Sequence, residues 1–324
     1  MKAAIYTRKG PAAEVLQVVD RPLPEAAGDQ VRVRLAFSGV NPSDVKTRGR
    51  PGMDYPEVVP HSDGAGVVDA VGPQASADLK GRRVWIYNGQ WDRAQGTAAE
   101  AIVLPASQVV PLPDGVSFEI GASIGIPLMT AYHAVHSCGD LAGKTVLVSG
   151  AAGSVGFYAT QLARLAGAEV IASVSSAEKA AIARAAGAGA VVNYRDEDVV
   201  ARVKALTGGR GVDCIVEVDF SGYVARYGEL LSFGGKAVIY GSNAAESSLA
   251  FRPMIMGFVT LYFFIVYRLP AQIMRETTTA ITRLLADRTL KHPQTAIHPL
   301  SAIADAHQQV EAGANAKVLV RLPD

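Results

Sequence analysis

Thr145-Val-Leu-Val-Ser-Gly-Ala-Ala-Gly-Ser-Val-Gly156 is an apolar run that breaks into a glycine-rich turn and at once becomes helical. Val146–Val148 reads as a buried strand. Val155, Ala159, Leu162 and Ala166 then recur at helical spacing until Gly167 ends the segment. Strand, tight turn and helix together form a pyrophosphate grip. The turn brings backbone N–H groups close to the phosphates, and the helix N-terminus adds a favourable dipole. Ala152, Gly153, Ser154 and Val155 are the residues expected to contact the ligand. The usual fingerprint is G-x-G-x-x-G; here Ala151 holds the first position, giving Ala151-x-Gly153-x-x-Gly156 after Gly150. Glycines also mark ordinary turns, so the motif needs its context.

The context is an alternation. Strand Val170–Val174, helix Ala177–Ala186, strand Ala190–Tyr194, helix Asp196–Leu206, strand Val212–Val218, helix Tyr223–Leu231 and strand Lys236–Tyr240 follow in turn. This spacing predicts an α/β fold with a parallel, doubly wound sheet, and with it a dinucleotide ligand and redox chemistry.

The chain has 324 residues, enough for about two domains. At 49% hydrophobic and 19% charged it can bury a large core, and its net charge of +1 gives no footprint for nucleic acid or an anionic membrane. The N-terminus, Met1-Lys-Ala-Ala-Ile-Tyr6, reads as a strand and not as a signal peptide. Cys138 and Cys214, far apart in sequence, make no disulfide framework, which sets a reducing cytoplasm as the default. Cys214 is expected to act as a small apolar strand residue.

The first third differs from the middle. Gln30-Val-Arg-Val-Arg-Leu-Ala-Phe37 alternates with period two, and short strand candidates follow at Gly66–Ala70, Arg83–Tyr87, Ala99–Val103 and Val109–Leu112. This predicts a mostly antiparallel β domain. Near Ile120 the chain turns helical and leads into the nucleotide domain. Helices are expected at Ala271–Asp287 and Ser301–Ala312, with a last strand at Lys317–Leu322 that returns to the first domain. The expected division is 1–124 with 269–324, and 125–268. Met254–Tyr267 is apolar except for Thr260, but Arg268 closes it well short of the roughly 20 residues that span a bilayer. Phe258–Tyr267 fits a long strand, and a strand this apolar must be covered or paired along an edge. It is therefore an expected subunit interface.

Five segments carry a resemblance: Gly39-Val-Asn-Pro-Ser-Asp44, His61-Ser-Asp-Gly-Ala-Gly-Val-Val68, Gly125-Ile-Pro-Leu-Met-Thr-Ala-Tyr-His-Ala134, the Gly150–Gly156 turn, and Ala188–Tyr194 with Arg195. With them the chain resembles, nearly end to end, the zinc-free quinone oxidoreductases (the zeta-crystallin-like branch) of the medium-chain dehydrogenase/reductase superfamily. The resemblance implies a GroES-like catalytic domain, a Rossmann domain with a cleft between them, and a homodimer.

The zinc-dependent branch of that superfamily holds its metal with Cys, His and a further Cys or acid. The matching positions here are Asn41 and Ser62, with His61 offset by one, and Asn88–Glu100 lacks the cysteines of the structural-zinc loop. Amide and hydroxyl oxygens replace thiolate and imidazole poorly around zinc, so no metal is expected and His61 reads as a turn or surface residue. Without a Lewis acid, ordinary alcohol oxidation is disfavoured.

An NAD site places an acid after the second strand; an NADP site omits it and supplies donors and positive charge. Ser173-Val-Ser-Ser176 has no acid. Ser175, Ser176, Lys179 and Tyr194 favour NADPH over NADH, and the resemblance assigns Lys179 and Tyr194 to the 2′-phosphate. The alternatives are N-capping serines, a solvated lysine and a packing tyrosine. Lys317 is the nearest C-terminal cation, and its contact stays open.

The resemblance places Asn41 beside nicotinamide and substrate and Thr130 near the nicotinamide. Gly241, Ser242 and Asn243 line the cofactor, Phe264 and Val266 border the carboxamide, and Tyr55 and Met53 form a substrate wall. Turn chemistry or packing is the alternative for each. Asp44 and Asp63 read as turn caps or acceptors of backbone N–H groups, and His133 and His136 as helix packing. Glu217 and Asp219, at a strand end that faces the ligand, have no assigned role. The expected activity is NADPH-dependent reduction of a quinone. The alternatives are reduction of activated alkenes, such as 2-alkenals or enoyl thioesters, and a non-catalytic NADPH-binding role.

Overall fold

The computed structural model describes residues 1–323. In chain order its first elements are β1 (Lys2–Ile5), α1 (Ala12–Val15), β2 (Gln17–Asp20), β3 (Gln30–Gly39), α2 (Pro42–Gly49), β4 (Asp63–Val71), β5 (Arg83–Ile86), β6 (Ala101–Pro105), β7 (Val109–Pro111) and α3 (Phe118–Ser137). The middle holds β8 (Thr145–Ser149), α4 (Ser154–Leu165), β9 (Glu169–Val174), α5 (Ala177–Ala185), β10 (Ala190–Asn193), α6 (Val199–Leu206), β11 (Val212–Glu217), α7 (Phe220–Tyr223), α8 (Tyr227–Leu230) and β12 (Leu231–Ile239). Then come α9 (Phe251–Met256), β13 (Thr260–Phe263), α10 (Ala271–Ala286), β14 (Thr295–Pro299), α11 (Ile303–Glu311) and β15 (Lys317–Arg321).

Two compact units result, Met1–Ile126 with Thr278–Asp324, and Pro127–Thr277. The seams fall at 126/127 inside α3, two residues beyond the expected 124/125, and at 277/278 inside α10, beyond the expected 268/269. In the first unit β3 pairs antiparallel with β4, β6 and β15, and the sheet runs β14-β15-β3-β4-β5-β7. The alternation in β3 puts Val31, Val33 and Leu35 into a core shared with Val68, Ile86, Ile102 and Val318. The last strand thus returns to the first domain.

The second unit is a parallel sheet of order β10-β9-β8-β11-β12-β13. β8 and β11 are central neighbours, and the chain reverses its winding direction between them. Ligands bind such sheets at that point, beyond the strand carboxyl ends. Leu147, Ile171, Ile215 and Ala237 fill the core beside Val203, Tyr223 and Tyr227. Two helices depart from the sequence reading. α6 starts at Val199 because Asp198 accepts the N–H groups of Val200 and Ala201. The helix expected at Tyr223–Leu231 is α7 and α8 joined by a 3₁₀ turn. There the Tyr223 hydroxyl is bonded to Ser173 and that of Tyr227 to Glu217.

The long strand expected at Phe258–Tyr267 is also corrected. Only Thr260–Phe263 pairs, parallel to β12, before a 3₁₀ turn at Val266–Arg268. Phe258 is left-handed, with φ of 51°, and turns the chain from α9 into β13. The strand stops where β12 ends. Among the described residues, no helix is long and apolar enough to cross a membrane.

The expectation of two unpaired cysteines is overturned as well. Cys138, just past α3, is bonded to Cys214 on β11, with Cα atoms 6.0 Å apart. Their sequence separation of 76 residues hid a proximity that the sheet creates. A bridge over a loop of that length is worth about 4 kcal/mol through the entropy of the unfolded chain. Reduction, or a Cys138→Ser/Cys214→Ser double substitution, should therefore lower the thermal midpoint measured by circular dichroism. Equal midpoints with and without reductant would show that the bridge contributes nothing.

Candidate functional site

The glycine turn is built by close approach. Gly150 is left-handed, with φ of 60°, and its carbonyl accepts the Gly153 N–H at 2.9 Å. A Cβ on Gly156 would lie 2.4 Å from that same carbonyl, so only glycine lets α4 start flush against β8. Gly153 is different. Its backbone is extended, and an added Cβ would meet nothing nearer than 3.4 Å. The fold does not require glycine there. As N-cap of α4 it offers no side-chain acceptor, which leaves the first-turn N–H groups at Ser154 and Val155 open to an anion. Ala152, Gly153, Ser154 and Val155 all retain solvent exposure.

At the end of β9, the Tyr194 N–H donates to Val174 O at 3.0 Å, which brings the half-exposed tyrosine's backbone against the residue before Ser175. Ser176 caps α5, accepting the Lys179 N–H at 3.3 Å. It also bonds Glu178, and that bond holds the carboxyl below its ordinary range. The sequence reading stopped at Ser176 and missed this acid.

The third segment follows β12. Gly241 must be glycine, since a Cβ would lie 2.3 Å from Val218 O. Asn243 donates through N and Nδ2 to Asp219 at 2.9 and 2.8 Å. A cavity of about 460 Å³ opens here, lined by Phe220, Tyr240, Gly241, Ser242, Phe263 and Phe264 among others. Ile265 also lines it, whereas Val266 is buried and does not. Thr130 is buried on α3. On the same helix His133 bonds the Tyr262 hydroxyl at 3.0 Å and meets the Phe264 ring edge-on.

In the first unit a charge cluster surrounds Asn41. Lys317, 2% exposed, donates to Asn41 Oδ1 at 2.6 Å, Val40 O at 3.1 Å and Asp63 Oδ2 at 3.3 Å. Asn41 Nδ2 donates to Asp63 Oδ2 at 2.8 Å. The amide oxygen thus faces a cation and the amide nitrogen a carboxylate. Asp63 Oδ1 accepts the Ile126 N–H, and Asp44 accepts the Asn41 N–H that begins α2. Burial pushes the Asp44 carboxyl up to about 7. The open contact of Lys317 is therefore Asp63 and Asn41. Tyr55 and Met53 pack against Tyr6, Val15 and Val58.

His61 is neither at the surface nor in an ordinary turn. It is fully buried and left-handed, with φ of 78°. Arg48 Nε donates to His307 Nδ1 at 3.3 Å, and arginine only donates. His307 must then donate from Nε2 to His61 Nε2 at 2.8 Å. His61 in turn donates from Nδ1 to Ser38, Ser38 to Thr97, and Thr97 to Asp63 O. Burial holds both imidazoles below their usual pKa, His307 at about 3. Both nitrogens of His61 are committed, so it has no lone pair for a metal.

Two family models match the chain: the alcohol dehydrogenase GroES-like domain over residues 27–114 and the zinc-binding dehydrogenase domain over residues 154–286. The quinone oxidoreductase of Homo sapiens is 32% identical over 323 residues, covering 95% of this chain and 94% of that one. An NAD-dependent alcohol dehydrogenase structure superposes with a TM-score of 0.88 at 31% identity, covering 100% of both chains. The Escherichia coli quinone oxidoreductase, solved with NADPH, gives 0.86 at 25% identity, covering 99% of this chain and 100% of that one. This protein belongs to the quinone oxidoreductase branch of the medium-chain dehydrogenase/reductase superfamily. The zinc named by the family model does not fit these residues. Among the described residues no three His, Cys, Asp or Glu side chains gather around a common point, and Asn41 is committed to Lys317 and Asp63.

The two glycines predict opposite outcomes. Gly153→Ala should fold at least as stably as the wild type, with a gain of up to about 1 kcal/mol, yet bind a dinucleotide about tenfold more weakly by loss of phosphate–backbone bonds. Gly156→Ala should destabilise the fold by about 1–3 kcal/mol through overpacking. Calorimetry and fluorescence titration read the two effects, and unaltered binding by Gly153→Ala would count against the site.

Proposed function

We propose that the protein reduces quinones at the expense of NADPH, without zinc. The observation that carries this reading is the uncapped start of α4 behind Gly153, a position where the fold tolerates a side chain and a pyrophosphate would not. The relatives point the same way: quinone oxidoreductases match along nearly the whole chain, one of them solved with NADPH. Reduced nicotinamide supplies the hydride. The chain's own part is to hold the cofactor and to shape the acceptor site. Ala152–Val155 would grip the pyrophosphate, Ser175, Lys179 and Tyr194 the 2′-phosphate, and Gly241, Ser242, Asn243 and Phe264 the nicotinamide end. Asn41 and Thr130 remain the proposed contacts to substrate and nicotinamide, and Tyr55 and Met53 the proposed substrate wall. A quinone suits such a site, because its hydroquinone anion is delocalised and solvent protonates it. Asp63, tied to Lys317, Asn41 and the Ile126 N–H, need not act as an acid.

The reading includes a homodimer; the cytoplasmic location loses the support it drew from unpaired cysteines, since Cys138 is bonded to Cys214. β13 is the sheet edge; Phe263 on it, Ile265 just past it and Phe258 just before it are all exposed. An edge strand this apolar favours pairing with a second copy. Light scattering should give twice the chain mass of 33.9 kDa, and Phe263→Asp should return it to the monomer. A monomeric wild type would sink the interface.

The decisive assay follows NADPH and NADH oxidation with an ortho-quinone and a 2-alkenal. Quinone turnover with NADPH is expected, and Lys179→Glu should raise the NADPH KM about tenfold through a lost charge-assisted bond while sparing NADH. Turnover of the alkenal alone would move the protein to the double-bond reductases. Preference for NADH would give Glu178 the ribose and overturn the cofactor reading.

A further inference from the structure

Glu217 and Asp219 close β11 on the side of the sheet where the ligand would bind, and the reading above leaves them unused. We propose that this acid pair is the positioning device of the dinucleotide site: Glu217 holds the glycine turn and Asp219 holds the Gly241–Asn243 loop. One strand end thereby sets both walls of the cofactor groove. The inference rests on the dinucleotide reading and gives these residues a task within it.

On the β9 side the glycine turn keeps a backbone tie, from the Ala151 N–H to Ser173 O at 3.2 Å, but the ladder toward β11 stops just short of the site. β11 pairs with β8 only as far as Val216 opposite Val148. The next residue, Ser149, is the last before Gly150, and side chains take over there. The Ser149 hydroxyl donates to Glu217 Oε1 and accepts the Val218 N–H at 2.9 Å. Glu217 Oε1 also accepts the Asp219 N–H at 2.8 Å, and Oε2 the Tyr227 hydroxyl at 3.2 Å. On the other side β11 pairs with β12 as far as Glu217 opposite Ile239. Beyond that, the Phe220 N–H reaches Gly241 O at 2.9 Å, and Asp219 takes the Asn243 N–H, its Nδ2 and the Ser221 hydroxyl, while Ser221 accepts the Ala244 N–H at 3.2 Å.

Glu217 is fully buried, and the groups that act on its carboxyl are Ser149, Asp219 and Tyr227. Its titratable neighbours are Asp219 on its own strand end, Tyr223 on α7, Tyr227 on α8 and Tyr240 after β12. A carboxyl in that setting is an acceptor for three donors when ionised. Once protonated, one oxygen must itself donate, and the tie to Ser149 weakens. Burial pushes this carboxyl up to about 7, so the exchange falls near neutrality.

The test measures NADPH dissociation constants by fluorescence from pH 6 to 8 for the wild type, Glu217→Gln, Ser149→Ala and the double variant, with thermal midpoints alongside. The cofactor's 2′-phosphate titrates near pH 6 by itself, so the readout is the ratio of variant to wild type. At pH 8 each single variant should bind about tenfold more weakly, the cost of a bond to an ionised group. The double variant should bind no more weakly than either single one, and the Glu217→Gln ratio should shrink toward unity by pH 6. Wild-type affinity in Glu217→Gln, a ratio that does not vary with pH, or additive losses would each overturn the proposal. A lowered midpoint with unchanged affinity would do so too, by leaving only a structural role. The glycine turn serves the pyrophosphate common to NADPH and NADH, so NADH replaces NADPH should the protein prefer it. A wild type that binds neither would overturn the dinucleotide reading together with this inference.

Discussion

The carbonyl of Gly150 occupies the space where a Cβ of Gly156 would have to be. That single contact lets α4 begin directly against the end of β8, and the second unit depends on it. With the contact in place, the first turn of α4 presents its N–H groups at the reversal point of the sheet. A larger residue would push the helix outward and carry those donors away from the sheet. Gly241 repeats the device against Val218 O at the end of the neighbouring strand pair. Close backbone packing and ligand access are thus the same constraint seen from two sides.

The first unit is organised around a different quantity, buried charge. Asp63 is wholly inaccessible, and it draws Lys317 from the last strand, Asn41 from the start of α2 and the Ile126 N–H from α3. Breaking such a pair costs far more than the pair itself contributes, because the abandoned charge stays buried. Beside it runs the one-directional hydrogen-bond chain from Arg48 to Asp63 O. The two networks meet at Asp63, at its side chain and at its carbonyl. Asn41, at the position matching a zinc ligand of the zinc-dependent branch, binds the Lys317 ammonium and Asp63 instead.

Much of this was legible in the sequence. Alternating strands and helices between Thr145 and Tyr240 specify the parallel sheet, because apolar periodicity reports which faces are buried. The glycine spacing specifies the turn, because only glycine survives the approach of Gly156 to Gly150. Period-two alternation in Gln30–Phe37 specifies a sheet with one covered face. The departures were of two kinds, distant partners such as Cys214 for Cys138 and His307 for His61, and local backbone turns inside apolar runs. The apolar run Phe258–Tyr267 reads as one long strand, but hydrophobicity registers neither the left-handed backbone at Phe258 nor the 3₁₀ turn at Val266–Arg268, which confine the strand to Thr260–Phe263.

The sequence by itself determined the fold class, the order of the elements and the place of the dinucleotide turn, since each follows from local pattern and backbone sterics. Only the tertiary structure decided which distant side chains meet. Cys138 reaches Cys214, Lys317 reaches Asp63, His307 reaches His61, and Ser149 reaches Glu217. None of these pairs is written in a local pattern. Each comes from strand order and from the need of a buried polar group to find a partner wherever the fold brings one.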